Sequence, residues 1–266
     1  MSTCFIHGVA VEVEGSGEPV ICIHGLGGSS NLWTPVMAGI SRYRMIRIDL
    51  PFSARSPGQG AIRDMQSLTQ CVRAVIEVLA IEHAHFMGHS MGALVCFELA
   101  RQWPALVNSM ALFAPLRATA ESSRAALRAR ADAARSGGTA GMADIADQVV
   151  NHTTAAETRR IRPVAAAYIR ESIMRQPAAG YAAMCDILAG AGAVCVDQVE
   201  CPVMLVGGDE DPVAPPDAVR EIGALLAQPR LRTLRNCGHW PTVERPHDCI
   251  TELGDFWRDQ AVPAHQ

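Results

Sequence analysis

Lysine is missing altogether: all 23 basic residues of the 266-residue chain are arginine. That absence excludes a Schiff-base lysine, a serine–lysine dyad and the lysine of a phosphate-binding P-loop. Paired cysteines are missing too. Nine cysteines are scattered at 4, 22, 71, 96, 185, 195, 201, 237 and 249, with no Cys-x-x-Cys among them. An odd, dispersed set, with Cys22 and Cys96 inside apolar runs, argues against a disulfide scaffold or a zinc site and for a reducing cytoplasm. No apolar run is long enough to span a bilayer. No basic stretch precedes an apolar one near the N-terminus, where the first arginine is Arg42. The expectation is a cytoplasmic protein with no membrane partner. The net charge of −4 argues against a nucleic-acid partner.

What is present suffices for a large core, since apolar residues make up 49% and charged ones 19%. The length fits one α/β domain with an insertion better than two independent domains. Residues 3–13 read as short strands, with Val9, Val11 and Val13 alternating. The β-branched apolar runs at 19–24, 45–49, 108–113 and 202–206, and a run at 231–235, read as strands, the first ones buried and parallel. Between them, 32–40, 63–80, the segment after Ser90 up to Trp103, a stretch up to about 227, and 246–258 read as helices. Strand–helix alternation implies a mostly parallel sheet covered on both faces, with ligand sites at the carboxyl ends of its strands. From 116 to 193 the character changes to Ala- and Arg-rich helices without a strand. Ten arginines there face seven acids, so the segment is positive while the remainder is negative. This balance suits an anionic substrate; solvated helix faces are the other reading.

Four loops carry the chemistry, and each follows a strand. The first is His24-Gly25-Leu26-Gly27-Gly28. It has no P-loop lysine and does not match Gly-x-Gly-x-x-Gly, which leaves an oxyanion loop whose backbone approaches the substrate closely. The second is Gly88-His89-Ser90-Met91-Gly92, a strand-to-helix turn. Glycines two residues either side make room for a turn too tight for side chains, with Ser90 strained at its apex. The third is Gly208-Asp209-Glu210-Asp211, followed by Pro215. The fourth is Cys237-Gly238-His239-Trp240, followed by Glu244-Arg245-Pro246. A serine hydroxyl needs a base, and the base needs a group that fixes its tautomer. Ser90, His239 and Asp211 fill those roles, with Asp209 and Glu210 as competing acids. His24 reads as structural, His83 and His85 as loop or strand-edge residues, and His89 as pointing away from Ser90. Asp49 reads as a turn anchor, and Trp33, Tyr168 and Trp240 as candidates to line the pocket or simply to pack.

On these motifs the chain resembles the α/β-hydrolase superfamily, most closely 3-oxoadipate enol-lactonases and small carboxylesterases. The resemblance covers nearly everything outside 116–193. It implies a mostly parallel eight-stranded sheet with helices on both faces, formed by residues 1–115 and 194–266. Residues 116–193 would be a helical cap inserted between strands six and seven. It also implies an oxyanion hole from the backbone N–H groups of Leu26 and Met91, and an acyl-enzyme that needs no metal or cofactor. The implied partner is a small-molecule substrate, an ester or lactone of a small acidic metabolite, and a homo-oligomer is admissible. Carbon–carbon hydrolysis of ring-cleavage products, haloperoxidase-like chemistry and a non-catalytic receptor are the alternatives. One stretch departs from the family: Asp49-Leu50-Pro51-Phe52-Ser53-Ala54-Arg55-Ser56 lacks both glycines of the usual Asp-x-Pro-Gly-x-Gly-x-Ser, which puts that loop's conformation in doubt.

Overall fold

The computed structural model describes residues 2–58 and 60–259. Its strands are β1 (Ser2–Ile6), β2 (Val9–Glu14), β3 (Pro19–Ile23), β4 (Arg44–Ile48), β5 (Ala84–His89), β6 (Val107–Phe113), β7 (Val203–Gly208) and β8 (Pro229–Leu234). They form one sheet in the order β1-β2-β4-β3-β5-β6-β7-β8. The pairs β1–β2 and β2–β4 are antiparallel and the rest parallel. The carboxyl ends of β3, β5, β7 and β8 therefore share one edge, and all four chemistry-bearing loops leave from it.

The pleat divides the core in two. Ile21, Ile23, Phe86, Met110, Leu112, Val203 and Leu205 point to one face, and Val20, Cys22, Met87, Ala111, Phe113, Met204 and Val206 to the other. Both faces are apolar because helices cover both. The first face packs on α1 (Met65–Val78) and α2 (Met91–Gln102). Asp64 caps α1 in a reciprocal capping box with Ser67, and Leu68, Val72, Val75 and Ile76 form its buried stripe. Helix α2 is buried nearly all round, as its apolar sequence requires.

Between β6 and β7 the chain runs through α3 (Glu121–Thr153), α4 (Ala156–Ile161), α5 (Pro163–Met174) and α6 (Ala178–Gly190), with no strand among them. Helix α3 is two helices meeting at Gly138, whose φ is 53°. After β7 come α7 (Pro216–Leu225), α8 (Pro241–Glu244) and α9 (Pro246–Asp259). The second face of the sheet packs on Trp33, Val36 and Ile40 and on Leu253, Phe256 and Trp257 of α9. The helix expected at 32–40 is a succession of 3-10 turns over Ser30–Ile40, with Pro35 in its interior lacking an amide hydrogen. All nine cysteines are free thiols. Among the described residues, no helix is long and apolar enough to cross a membrane.

Candidate active site

The turn at the end of β5 is built by space. A Cβ on Gly92 would stand 2.2 Å from the Ile23 carbonyl oxygen, and one on Gly88 would stand 2.8 Å from Cys96 Sγ. Both contacts are closer than a side chain tolerates. Ser90 between them sits at φ 52°, ψ −114°, a strained conformation for a residue with a Cβ. Its N–H donates to the Phe113 carbonyl (3.0 Å), which ties the turn to β6. The result is a hydroxyl at the sheet's carboxyl edge beside the N-terminus of α2.

His239 Nε2 lies 2.9 Å from Ser90 Oγ, and its Nδ1 lies 2.8 Å from Asp211 Oδ2. Asp211 Oδ1 accepts the N–H groups of Val213 (2.8 Å) and Ala214 (3.0 Å). Burial pushes that carboxyl up, but His239 and the bonds it accepts outweigh burial and hold it below its ordinary value. An ionised Asp211 fixes the imidazole with Nδ1–H toward itself and the Nε2 lone pair toward Ser90. The three groups are nearly closed from solvent, with Ser90 5% exposed, His239 6% and Asp211 2%. The competing acids are elsewhere. Asp209 accepts from Cys237 N–H (3.1 Å), and Glu210 accepts from Ala156 N–H (2.9 Å).

The glycine-rich loop lies against the serine: a Cβ on Gly25 would be 3.0 Å from Ser90 Cβ. His24 beneath it is buried. Leu50 N–H donates to His24 Nε2 (2.9 Å), which leaves Nδ1–H to donate to the Gly25 carbonyl (2.7 Å). Burial holds His24 below its ordinary pKa, so it stays neutral as this pattern demands. The Gly25 carbonyl and the Leu26 N–H belong to one trans peptide and point opposite ways. Pinning that carbonyl therefore aims the Leu26 N–H.

His89 does point away from Ser90, but it is not idle. Its Nε2–H donates to the His239 carbonyl (2.7 Å), and its ring lies 5.1 Å from that of His239 and 5.0 Å from that of Trp240. Burial, then His239, pushes its pKa down to about 3. His83 is exposed, whereas His85 is interior to β5. Ser109 Oγ lies 2.8 Å from His85 Nδ1, and His85 Nε2 lies 3.3 Å from Glu18. This second grouping of serine, histidine and acid sits at the opposite edge of the sheet. Ser109 is wholly buried and accepts a bond from Trp257 Nε1 (3.1 Å), so it has no route to a substrate.

Of the three aromatics singled out in the sequence, Trp240 is nearest the chemistry. It is buried over His89, with Nε1–H donating to Thr153 Oγ1 (2.9 Å). Trp33 is buried edge-on to Phe113. Tyr168 is half-buried and its hydroxyl donates to the Asn31 carbonyl. Burial pushes the Tyr168 phenol up to about 12.

Two groups of residues around the site were given no role by sequence reasoning. Glu244 is fully buried. Its Oε1 accepts Gly238 and Trp240 N–H (3.1 Å each), and its Oε2 accepts Ala155 N–H (2.8 Å) and Thr158 Oγ1–H (2.7 Å). Together with His239 N–H donating to Thr153 O (2.7 Å), this bonds the histidine loop to the junction of α3 and α4. The Glu244-Arg245-Pro246 motif after His239 was a signal for it. The second group, Ser172 and Gln176, holds the glycine-rich loop and had no sequence signal. Among the described residues no group of three or more His, Cys, Asp or Glu is arranged to hold a metal ion. A cavity of about 470 Å³ lined by Ala100, Pro104, Val107, Glu200 and Cys201 opens at the opposite edge from Ser90, and Ser90, His239 and Asp211 do not line it.

A doubly covered, mostly parallel sheet with a strained serine at the end of a central strand defines a class of α/β enzyme. The family described as alpha/beta hydrolase fold matches residues 18–246, and the chain belongs to it. It is 26% identical to an (E)-2-((N-methylformamido)methylene)succinate hydrolase of Acinetobacter baylyi over 203 residues, covering 75% of this chain and 74% of that one. Among solved structures, the enol-lactonase from Burkholderia xenovorans LB400 superposes with a TM-score of 0.86 at 25% identity, over 97% of this chain and 100% of that one. A thermophilic esterase from Thermogutta terrifontis, solved with malate bound, superposes at 0.89 and 21% identity, over 96% of this chain and 94% of that one. The protein is thus a hydrolase of the α/β fold.

Proposed function

We propose that this protein is a serine hydrolase that cleaves an ester or lactone of a small acidic metabolite through an acyl-enzyme on Ser90. The observation that carries the proposal is the continuous hydrogen-bond line Asp211–His239–Ser90, 2.8 and 2.9 Å long, beside a loop whose backbone faces the serine. Ser90 Oγ attacks the acyl carbon as His239 Nε2 takes its proton. The oxyanion is met by the N–H groups of Leu26 and Met91, the latter at the start of α2. His239 then gives the proton to the departing alkoxide as the C–O bond breaks. In a lactone that alcohol stays attached to the acyl group. Water attacks the acyl-enzyme with His239 again as base, which releases the acid and frees Ser90. Asp211 stays ionised throughout and stabilises the transient imidazolium.

The substrate class rests on two supports. The Acinetobacter relative is named for a substituted succinate, and the Thermogutta esterase was solved with malate, so both meet dicarboxylates. Within this chain, most of the arginines between β6 and β7 are occupied. Arg124, Arg135, Arg170 and Arg175 pair with local acids, and Arg159 and Arg162 bond backbone carbonyls. Arg130 on α3 is half-buried, lies beside Tyr181, and pairs with no carboxylate among the described residues. Tyr181 in turn packs against Gly27. Arg130 is the group we assign to the substrate's carboxylate.

A fluorophosphonate probe tests the chemistry. Wild type is expected to be labelled, and Ser90→Ala to be unlabelled and at least about 10³-fold slower. The turnover panel pairs nitrophenyl esters of acidic and neutral acyl groups with enol-lactones and vinylogous diketones. Labelling that survives in Ser90→Ala would sink the nucleophile. Turnover confined to the diketones would replace the ester reading with carbon–carbon hydrolysis.

A further inference from the structure

The glycine-rich loop is held from two sides. From below, His24 pins the Gly25 carbonyl, which also accepts Gly28 N–H (3.0 Å). From above, it is held by residues that are not part of the sheet. Gln176 follows α5 and is only 6% exposed. Its Nε2 donates to the carbonyls of Gly27 (3.2 Å), Gly28 (3.1 Å) and Ser172 (2.8 Å). Its Oε1 accepts Ala54 N–H (2.9 Å). Ser172 Oγ–H adds a second bond to the Gly27 carbonyl (2.8 Å). Ile173 closes the contact, since a Cβ on Gly27 would stand 2.9 Å from its Cγ1.

One buried amide thus joins three chain segments: the end of α5, the glycine-free turn at Ala54 and the loop that carries Leu26. The same turn supplies the lower clamp too, through Leu50 N–H on His24. The peptide that presents Leu26 N–H lies between these clamps. A donor helps the reaction only if it already stands where the oxyanion will form, so small rotations of that peptide weaken the transition state more than the bound substrate.

We propose that Gln176 is a positioning residue for the oxyanion loop, so that the seating of the helices between β6 and β7 sets how well Leu26 N–H meets the transition state. This rests on the hydrolase reading above. The arrangement makes Gln176 specific in a way that packing alone is not. Its donor end faces three acceptors and its acceptor end faces one donor, so a glutamate of the same shape would put carboxylate oxygens against carbonyls.

The test compares Gln176→Glu and Gln176→Leu with wild type on one ester or lactone that wild type turns over. In Gln176→Glu, kcat is expected to fall about tenfold or more at pH 8, with KM within about twofold. Its deficit should shrink as the pH is lowered and the carboxyl takes up a proton that can donate again. Gln176→Leu should lose kcat by more than about twofold, though no more than Gln176→Glu, with no such pH dependence of the deficit. Inhibition by a boronic acid that forms a tetrahedral adduct on Ser90 should weaken in step with kcat, and inhibition by the product acid should not. Thermal melts of both variants report folding. If either folded variant keeps kcat and boronate affinity within twofold of wild type, or if KM carries the loss, the proposal is overturned while the hydrolase reading stands. If wild type itself shows neither turnover nor probe labelling, the hydrolase reading fails first, and the proposal with it.

Discussion

Two tight turns flank the same site, and they treat glycine differently. At the end of β5, Gly88 and Gly92 are present because neighbouring atoms occupy the space a Cβ would need. At 49–56, where the Asp-x-Pro-Gly-x-Gly-x-Ser pattern of the resemblance would put two glycines, this chain has Phe52 and Ala54, yet both adopt the left-handed region at φ 66° and 48°. The backbone keeps the conformation that glycine would favour and does so without glycine. Asp49 accounts for this by accepting Ser30 N–H (2.7 Å) and Arg55 Nε–H (2.7 Å), while Ser56 Oγ–H bonds the Asp49 carbonyl (2.6 Å). Arg55 also pairs with Glu12, which pairs in turn with buried Arg47. A glycine demanded by a neighbour's position cannot be replaced. One demanded only by its dihedral can be, at about 1–2 kcal/mol per residue, if enough bonds hold the turn.

The largest test of that contrast is Gly92→Ala. It should cost about 3 kcal/mol or more, because the Ile23 carbonyl has nowhere to move within the sheet. Urea unfolding and soluble yield would show it, and a cost under 1 kcal/mol would break the distinction.

Acid should also separate the turns. His89, beside the first turn, is held down to about 3 against an ordinary 6.5, with burial the main cause and His239 next. The unfolded chain takes up that proton as the pH falls below about 6.5, and the folded one resists to about 3. Stability from the neutral His89 is therefore full above 6.5 and declines through that window. His24 shifts the same way. At the second turn, burial pushes the Asp49 carboxyl up, but the bonds from Arg55 and Ser30 hold it below its ordinary 3.8. Its contribution is full above 3.8 and is lost only as the pH falls through its lower folded value. Unfolding free energies at pH 7, 5 and 4 should fall, and fall less in His89→Gln. Equal slopes would remove His89 from the account.

The smallest effect is expected from Ala54→Gly. Relief of the dihedral and the added freedom of the unfolded chain oppose each other, leaving a net gain of about 0.5–1 kcal/mol. The same urea experiment reads it, and a loss of stability would mean that Ala54 packs in a way its dihedral does not suggest.

The contrast also explains what could be read in advance. The meeting of Ser90, His239 and Asp211 is legible because each lies in a short motif whose spacing is dictated by a local turn. The parallel sheet is legible because buried strands read as unbroken apolar runs. The turn at 49–56 is not, because its missing glycines are offset by Glu12, Ser30 and Arg47, which are distant in sequence. His85 reads as a strand-edge residue because nothing local announces that Ser109 and Trp257 surround it. Gln176 is one of several polar residues at the end of α5, set apart by no motif. Its meaning depends entirely on where α5 lands, a tertiary fact with no local trace.

The sheet order carries one more consequence, for the chain as it is being made. Ser90 and His239, which bond each other, are 149 residues apart. At the usual pace of synthesis, roughly 5–20 residues per second, the serine leaves the ribosome about 7–30 s before the histidine does. Strands β7 and β8 add to the far side of a sheet whose first six strands can already pair. A nascent chain can thus shape the turn at Ser90 early and still hold a hydroxyl without its hydrogen-bond partners, because Asp211 and His239 arrive only with the last quarter of the polypeptide.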